Sequence, residues 1–400
     1  MPDRQPVGMP PAGRFALLAA LCSSFGQTFY IGLFGADFRA EFGLGESALG
    51  ALYGSATLIS GLSMFWLGAI ADHMLMRRAI ALTMSLLAAG TALIALSPNV
   101  AGLFVGLILI RLAGQGLTGH LAIVAAGRYA VRRRGRAVAM ATYGFILGEA
   151  LFPPAVAAVM GWLDWRGVWL FSTVILVAVA LPLVYALARP LVGAGGAADA
   201  DVEGLDPSVL SRRALFTNAR FLRALTVVLV SPFIVTALFL HQGTLAERLD
   251  WSLGQVAAGF VLFAAMQGLA AFSGGRLVDR FSARALLRFY LLPAALGVLA
   301  LGLLPPAPAM WVMFAGLGLT AGINGVVSGA LWVELFGTSK LGMIRGVYAA
   351  LMVVSTAIGP VVLGFLFDLD VSLMAMGAAL AIYMVVVPNL VAGRQLLVRD

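Results

Sequence analysis

The sequence predicts an all-α integral membrane protein whose twelve transmembrane helices form two pseudo-symmetric bundles of six helices. Three observations support this fold class. Of the 400 residues, 61% are hydrophobic and 11% are charged, against about 25% charged in an ordinary soluble domain. Apolar segments of about 20 residues, the length that crosses a bilayer, recur along the whole chain. One short polar motif also occurs in both halves of the sequence.

Twelve apolar segments define the predicted spans, which we number 1 to 12 in chain order. The gaps between them are mostly short, so neighbouring spans are expected to run antiparallel. The predicted spans are 15–36, 48–71, 79–97, 101–127, 137–162, 167–188, 219–243, 254–277, 285–304, 308–335, 346–367 and 371–391.

The chain divides once, after span 6. Residues 189–218 interrupt the apolar pattern with Pro190, a run of glycine and alanine, and four acidic residues, a composition typical of a linker. This predicts an N-terminal six-helix bundle at 15–188 and a C-terminal six-helix bundle at 219–391. The remaining segments are the terminal tails, at 1–14 and 392–400.

The basic residues orient the chain in the membrane. An even number of spans puts both termini on one side, and placing that side inside leaves three arginines in the outer loops (Arg39, Arg166 and Arg248). Apart from Arg111, the other 22 of the 26 basic residues fall inside or at inner helix ends, as the positive-inside rule requires. We therefore expect a multi-pass protein of the inner (cytoplasmic) membrane with both termini and the linker in the cytoplasm. The net charge of +8 then reflects topology and contact with lipid phosphates rather than nucleic-acid binding.

The sequence lacks the patterns of soluble catalysis. Cys22 is the only cysteine, which excludes a disulfide framework and a cysteine metal cluster. It has no glycine-rich phosphate loop of the ATPase kind, no metal-ligand spacing and no nucleophile–base set. We therefore expect neither enzymatic activity nor a metal or other cofactor. Span 1 has no clean signal-peptidase site either, so we expect it to be retained.

Matching residues recur in the two halves of the chain. Between spans 2 and 3, and again between spans 8 and 9, a glycine is followed four positions later by an aspartate and five beyond that by an arginine. The two copies, 207 positions apart, are Gly68, Asp72, Arg77 and Gly275, Asp279, Arg284, with Arg280 beside the second aspartate. At an offset of 211, Gly114 matches Gly325 and Gly148 matches Gly359. Two copies of one loop indicate two copies of one helical bundle, the build of many secondary transporters.

This repeated loop resembles the signature motif of the major facilitator superfamily, and the resemblance covers essentially the whole chain. The first copy departs from the pattern at His73 and Leu75, and the second departs at Ser282. The resemblance implies alternating-access transport around a site near the bilayer midplane, between the two bundles. It also implies that the loops latch the cytoplasmic ends, each aspartate lying near a helix N-terminus of the other half, where a carboxylate is favoured. The alternative is that Asp72 and Asp279 are solvated loop residues without a latching role.

Arg111 is the most informative single residue because it lies near the middle of span 4. A charge at that depth is costly unless it is paired or hydrated. Gln115 and Thr118 fall on the same helical face, so the three side chains can line one polar cavity. A guanidinium group also offers a planar fork that suits a carboxylate or a phosphate. The segment Arg111–Gly116 is similar to the family's second motif, an arginine followed by a glutamine and a glycine.

Glu149 is the one acidic residue placed deep in the membrane, at a depth in span 5 similar to that of Arg111. Burial disfavours a charged carboxylate and a nearby arginine favours it, so the sequence leaves its charge open. Two interpretations remain. Either a fixed ion pair stabilises spans 4 and 5, or Glu149 carries the coupling proton while Arg111 binds an anionic substrate.

Other polar residues lie within the predicted spans. Gln27 and Tyr30 in span 1 and Asn324 in span 10 are candidates for substrate contact. Such residues also serve as hydrogen-bonding glue between helices. His241, near the outer end of span 7, is expected at the membrane interface, with gating or pH sensing as the alternative.

The sequence thus predicts a secondary transporter, and the remaining question is its substrate. The run entering span 5, residues 129–139, is similar to the monocarboxylate and organic-anion branch of the family. We therefore predict proton-coupled uptake of a small organic anion, carried out by a monomer whose partners are the substrate, protons and the lipid bilayer. The alternative is a proton-driven exporter of a hydrophobic or cationic compound, in which Glu149 attracts the cation.

Overall fold

The computed structural model describes residues 10–130, 134–191, 212–337 and 341–391. These residues form helices and connecting turns, and no strand occurs among them. Eleven of the helices are long and apolar enough to cross a membrane, and a twelfth apolar helix, Leu292–Leu303, is shorter. The predicted all-α fold with twelve spans is confirmed. Most of the predicted linker and all of the C-terminal tail lie outside the described residues.

The first half of the chain contains spans 1 to 6. Asn99 and Asp164 cap spans 4 and 6, because their side chains accept hydrogen bonds from the backbone N–H groups of Gly102 and Gly167. A short helix, Gly35–Phe42, separates spans 1 and 2. The six spans are Pro11–Gly32, Glu46–His73, Met76–Leu96, Val100–Tyr129, Gly135–Val159 and Trp165–Leu187.

The second half contains spans 7 to 12 and begins with a short helix, Arg212–Leu215. Span 8 starts with a capping box, in which Ser252 and Gln255 each accept a hydrogen bond from the backbone of the other. Two further short helices are Gln242–Leu249 after span 7 and Ala283–Leu286 after span 8. The six spans are Ala219–Leu240, Leu253–Phe281, Leu292–Leu303, Pro306–Phe336, Leu341–Asp368 and Leu373–Val391.

Spans 1 and 9 depart most from the predicted helices. Span 1 was expected to be continuous, but a 3-10 turn at Ser23–Gly26 and an extended Gln27 divide it. Span 9 begins at Leu292 rather than at 285, because residues 287–291 form turns after the short helix Ala283–Leu286. The break in span 1 is short and lies between apolar segments, and the residues at 287–291 are largely apolar, so average hydropathy marks neither break.

Contacts between Cα atoms divide the chain into two compact units. Unit 1 comprises Met1–Tyr30, Ile59–Gly148 and Val159–Ala198, and unit 2 comprises Ile31–Leu58, Glu149–Ala158 and Asp199–Asp400. The ends of spans 1 and 2 that flank the short helix Gly35–Phe42 thus group with the second half of the chain. The division into bundles at 15–188 and 219–391 stays a prediction.

Glycines bring span 1 against spans 4 and 5 within unit 1. A Cβ atom added to Gly26 would lie 2.1 Å from the carbonyl oxygen of Ile110, and one added to Gly144 would lie 2.3 Å from that of Leu17. Real Cβ atoms do not approach backbone atoms so closely, so these two positions require glycine. Small residues of this kind allow helix backbones to pack in direct contact.

Close backbone contact also occurs within unit 2, where the start of span 2 packs on span 11. Cβ atoms added to Gly50 and Gly54 would each lie 2.5 Å from a carbonyl oxygen of span 11, those of Pro360 and Ala357. In the opposite direction, a Cβ atom on Gly364 would lie 2.4 Å from the carbonyl oxygen of Glu46. This contact fixes the position of Glu46.

Candidate functional site

Arg111 lies at the start of an irregular turn within span 4. Residues Arg111–Thr118 form a π-helix between α-helical segments Val100–Ile110 and Gly119–Tyr129, and such segments occur frequently at functional sites. The Arg111 side chain is buried, with 3% of the residue exposed. Its Nη1 donates a hydrogen bond to the carbonyl oxygen of Gly26 at 3.1 Å. The predicted site arginine is therefore held beside the break in span 1.

Three buried side-chain oxygen atoms of unit 1 lack hydrogen-bond partners among the described residues. They are Oγ of Ser24, Oε1 of Gln115 and Oγ1 of Thr118, and Gln115 and Thr118 belong to the same π-helix as Arg111. A buried polar atom without a partner is unfavourable, so such atoms are usually satisfied by water or by a ligand. These three oxygen atoms can therefore accept hydrogen bonds from water or from a ligand.

The two predicted residues of span 1 have different surroundings. Tyr30 is fully buried, its hydroxyl group lies 2.6 Å from Oγ of Ser172, and its ring meets Trp169 edge to face at a centroid distance of 5.1 Å. Gln27 is half-buried and lies at the extended residue that follows the 3-10 turn. The hydroxyl group of Tyr30 thus has a partner within unit 1, and its predicted contact with substrate stays a prediction.

Unit 2 contains the remaining predicted substrate residues. Oδ1 of Asn324 and Oε2 of Glu149 are buried, and neither atom has a hydrogen-bond partner in the described part of the chain. Oε1 of Gln267 in span 8 is also buried without a hydrogen-bond partner among the described residues. Gln267 was not a predicted site residue. Because Glu149 and Arg111 are assigned to different units, their pairing stays a prediction.

The first copy of the repeated loop is tied to the end of span 4. The exposed carboxylate of Asp72 accepts a hydrogen bond from Nη2 of Arg128, and Nη1 of Arg128 donates to the carbonyl oxygen of Ala71 at 2.7 Å. Gly68 is needed for the tight turn, since a Cβ atom there would lie 2.7 Å from the carbonyl oxygen of Met64. Arg77 is exposed.

The second copy is tied to the end of span 10 through a different acid. The carboxylate of Glu334 accepts hydrogen bonds from the backbone N–H groups of Ala283 and Arg284, at 2.7 and 3.1 Å, and the Arg284 side chain donates to the Glu334 carbonyl oxygen. Asp279 and Arg280 are exposed at the end of span 8, and Gly275 has open space around it. Both latch predictions therefore remain predictions, although each loop has a charged partner.

Sequence reasoning missed Arg128 and Glu334 as partners of the two loops. Each lies near the end of a span, Arg128 in span 4 and Glu334 in span 10, and these two spans are equivalent in the two halves of the chain. A search for charged residues at equivalent span ends, in addition to identical residues, would have found both.

A second buried charged group lies in unit 2, and His241 is its one member for which the sequence suggested a role, as an alternative to a place at the membrane interface. We call Arg39, Glu46, His241, Thr244 and Glu247 the Glu46 cluster. Oε2 of Glu46 lies 2.9 Å from Nδ1 of His241, while Oε1 accepts a hydrogen bond from Oγ1 of Thr244 at 2.5 Å and forms an ion pair with Nη1 of Arg39 at 3.1 Å. Both oxygens of this carboxyl group are therefore in use.

The Glu46 cluster joins four segments of unit 2. Nε2 of His241 lies 2.8 Å from the carbonyl oxygen of Pro360 in span 11. Asp368, at the end of the same span, accepts hydrogen bonds from the backbone N–H groups of Glu46 and Ser47 at 3.0 and 2.9 Å, which caps span 2. Span 2, span 11 and the two short helices Gly35–Phe42 and Gln242–Leu249 thus meet through one set of polar contacts.

Known proteins resemble this chain in sequence pattern and in fold. The family described as Major Facilitator Superfamily matches residues 16–266 and 233–394. A bacterial homologue of the human lysosomal transporter Spinster, solved in an inward-facing and unoccupied conformation, has a TM-score of 0.68 and 17% identity, with 96% of this chain and 94% of that chain covered. The nucleoside transporter NupG has a TM-score of 0.73 and 12% identity, with 96% and 98% covered. A comparison with curated proteins gives no sequence match.

The family match and the helical architecture answer the question of protein class. At such low identities the two solved structures show the fold alone, whereas the family match extends over nearly the whole chain. Among the described residues, no group of three or more histidine, cysteine, aspartate or glutamate side chains is placed to hold a metal ion. The chain belongs to the major facilitator superfamily and is a multi-pass membrane protein that acts as a secondary transporter and not as an enzyme.

Proposed function

We propose that this transporter takes up a small organic anion, of the monocarboxylate kind, together with protons. It works as a monomer in the inner membrane, with both termini in the cytoplasm. The observation that carries the proposal is the buried guanidinium group of Arg111, set in a π-helix beside polar atoms that lack partners.

The chemistry of Arg111 favours an anionic substrate. Arginine stays protonated in proteins, and its planar fork matches the two oxygens of a carboxylate. The hydrogen bond from Nη1 to the Gly26 carbonyl oxygen fixes the position of the guanidinium group. A substrate carboxylate beside this group would gain a charge-assisted hydrogen bond, the stronger kind of hydrogen bond in proteins.

The neighbouring polar atoms favour a substrate that also donates hydrogen bonds. Ser24, Gln115 and Thr118 each have a buried oxygen atom without a partner in the described part of unit 1. Leaving such an atom unsatisfied costs about 1–3 kcal/mol. A hydroxyl group on the substrate, or a water molecule that accompanies it, would remove part of this cost and so contribute to affinity.

Glu149 is proposed as the coupling acid. It is an acidic residue in the middle of a span, and its buried Oε2 has no hydrogen-bond partner among the described residues. Intramembrane acids of this kind commonly carry protons in transporters. Alternation between a neutral and a charged carboxyl group would link substrate movement to proton movement.

The repeated loops are proposed as conformational latches. The residues concerned are Gly68, Asp72, Arg77, Gly275, Asp279, Arg280 and Arg284. Their repetition supports this role, as do the contacts of Asp72 with Arg128 and of Arg284 with Glu334. Each contact ties a loop to the end of a span, so movement of the span would move the loop.

The uptake proposal is tested in proteoliposomes that contain a pH-sensitive dye. A panel of small carboxylates is added outside, and passive entry of protonated acids is subtracted with empty liposomes. We expect internal acidification by the wild-type protein and a loss of about tenfold or more in rate for Arg111→Gln, because a buried charge partner is removed. Arg78→Gln is the matched control, since it makes the same change at an exposed position.

Two results would contradict the proposal. One is equal acidification by the Arg111→Gln and Arg78→Gln proteins, which would remove Arg111 from the mechanism. The other is no acidification with any carboxylate. That result would favour the second candidate, a proton-driven exporter of a lipophilic cation, for which the buried carboxyl group of Glu149 would supply the attraction.

A further inference from the structure

The Glu46 cluster reaches from the surface of unit 2 into its interior. The exposed fraction of the side chain falls from 57% for Glu247 to 19% for Arg39, 9% for Glu46 and 0% for His241. Consecutive members are in contact, since Nη2 of Arg39 lies 3.1 Å from Oε2 of Glu247 and Nη1 lies 3.1 Å from Oε1 of Glu46. A buried histidine–carboxyl pair is therefore connected to the surface by charged groups.

The surroundings of His241 fix the number of protons that the pair holds. The carbonyl oxygen of Pro360 can only accept, so the hydrogen bond at 2.8 Å requires a hydrogen atom on Nε2 of His241. On the other side of the ring, Nδ1 lies 2.9 Å from Oε2 of Glu46. A hydrogen bond there requires one further proton, carried either by Nδ1 or by Oε2.

One shared proton is the number that this geometry accommodates. Without it, the lone pair of Nδ1 would face a carboxylate oxygen, and two acceptors would meet. With a second proton, Nδ1–H would face a protonated carboxyl group whose other oxygen already accepts from Thr244 and pairs with Arg39. Two donors would then meet, and two cationic side chains would lie beside a neutral acid. Either change removes a buried, charge-assisted contact.

Loss of this contact would act on the packing of four segments. His241 lies at the bend between span 7 and the short helix Gln242–Leu249, and Glu46 begins span 2. Their partners lie on the short helix Gly35–Phe42 and on span 11. The pair therefore lies where these segments meet, at the end of unit 2 that the charge pattern predicts to be outside.

We propose that Glu46 and His241 form a proton-binding site, and that binding of a second proton releases the short helix Gly35–Phe42 and the start of span 2 from span 11 and the short helix Gln242–Leu249. The inference rests on the proposed proton coupling and assigns it a site besides Glu149. The other charged groups on the surrounding elements are Asp37, Arg39 and Glu41, then Glu247 and Arg248, then Asp368 and Asp370.

The chain permits a direct test because its one cysteine is easily replaced. In a Cys22→Ser background, Leu49→Cys places a thiol at a position that is 1% exposed, one turn after Glu46. Ala48→Cys, at the adjacent exposed position, is the matched control. Both proteins are labelled with a maleimide in lipid nanodiscs, without substrate and without a pH gradient. The ratio of the two rates cancels the intrinsic pH dependence of thiol reactivity.

The expected result is a rise of about tenfold in the ratio of Leu49→Cys to Ala48→Cys labelling between about pH 7 and about pH 4, because the second proton must enter a carboxyl group that already faces Arg39 and the His241 ring. Glu46→Gln, which mimics a neutral carboxyl group, should give a high ratio throughout this range. The Gln side chain in His241→Gln can donate to a charged Glu46 carboxylate or accept from a protonated one, so the ratio in this variant should change little with pH.

A ratio that stays constant with pH in the wild-type background would overturn the proposal, and so would a full pH response in His241→Gln. If Glu46→Gln fails to elute as a folded monomer, the His241→Gln comparison still decides. The labelling needs no substrate. A pH response together with no acidification by any carboxylate would therefore reject the proposed uptake and leave this inference standing. Carboxylate uptake together with a constant ratio would reject this inference alone.

Discussion

The buried polar residues around Arg111 and those around Glu46 use their hydrogen bonds in opposite ways. Near Arg111, oxygen atoms of Ser24, Gln115 and Thr118 have no partner among the described residues. Near Glu46, each carboxyl oxygen and each ring nitrogen of His241 has one. Since unsatisfied buried groups are tolerated where a ligand or water completes them, the first region is suited to binding. The second is suited to holding segments together.

The backbone geometry of these two regions also differs. Around Arg111 the backbone is irregular, with a π-helix in span 4 and a 3-10 turn in span 1. Around Glu46, regular helices meet with glycines at the contacts between span 2 and span 11. Irregular turns in membrane spans are tolerated where they are buried in protein or line a cavity. Mutations in the two regions should therefore change the free energy of unfolding by different amounts.

The largest expected loss of stability comes from mutation of Glu46. Glu46→Ala leaves His241, Thr244 and Arg39 without their shared acceptor, and breaking a buried charged pair costs about 3–5 kcal/mol. Glu247→Ala removes a mostly exposed partner of Arg39 and should cost less than about 1 kcal/mol. Unfolding in mixed detergent micelles measures both, and equal losses would show that the cluster does not stabilise unit 2.

A smaller effect is expected where span 1 meets span 4. Gly26→Ala would bring a Cβ atom to 2.1 Å from the Ile110 carbonyl oxygen, and overpacking of this kind costs about 1–3 kcal/mol. Gly325→Ala adds the same atom in span 10, where nothing lies within 4 Å, and should be neutral or stabilise the helix by up to about 1 kcal/mol. If thermal unfolding shows the same shift for both variants, the close contact of span 1 with span 4 is not important for stability.

The smallest expected effect on stability distinguishes two buried threonines of unit 1. Thr118 and Thr91 are both fully buried, but Oγ1 of Thr118 has no partner in the described structure, whereas Oγ1 of Thr91 contacts the Ala88 carbonyl oxygen and Thr173. Thr118→Val should leave the free energy of unfolding unchanged or raise it by about 1 kcal/mol, while Thr91→Val should lower it by a similar amount.

Uptake should show the reverse order for these two threonine variants. Thr118→Val removes an atom offered to the substrate and is expected to slow carboxylate uptake, whereas Thr91→Val should retain it once the amount of folded protein is matched. Destabilisation by Thr118→Val would mean that its hydroxyl group already has a partner, and would remove it from the proposed site.

The sequence predicted the architecture well because bilayer spans have a strong signal in composition and length. The family also followed from the sequence, as did the match of Gly148 with Gly359. In the structure, each of these glycines packs against the equivalent span of its own unit, at Ser24 and at Phe233. Their match at an offset of 211 reflects one contact present twice.

The Glu46 cluster could not be predicted from the sequence, because its members are distant along the chain. Glu46 and His241 are 195 positions apart, and Pro360 is 119 positions beyond His241. Glu46 also lies just before the predicted start of span 2, where an acid has no special meaning. Helical periodicity reports neighbours along one helix, whereas this cluster depends on which helices meet.

The two short helices Gly35–Phe42 and Gln242–Leu249 preserve a record of duplication. The residues before them, Phe34 and His241, are 207 positions apart and bend the chain with similar torsion angles, φ −105° and ψ 8° against φ −94° and ψ 22°. The residues after them, Gly43 and Asp250, are again 207 positions apart and both left-handed. An ancestor with phenylalanine at both bends would have kept this backbone and lacked the titratable pair. In evolutionary terms, the proposed proton site is separable from its scaffold, and under that proposal a lineage could gain or lose acid sensitivity through the codon for residue 241 alone.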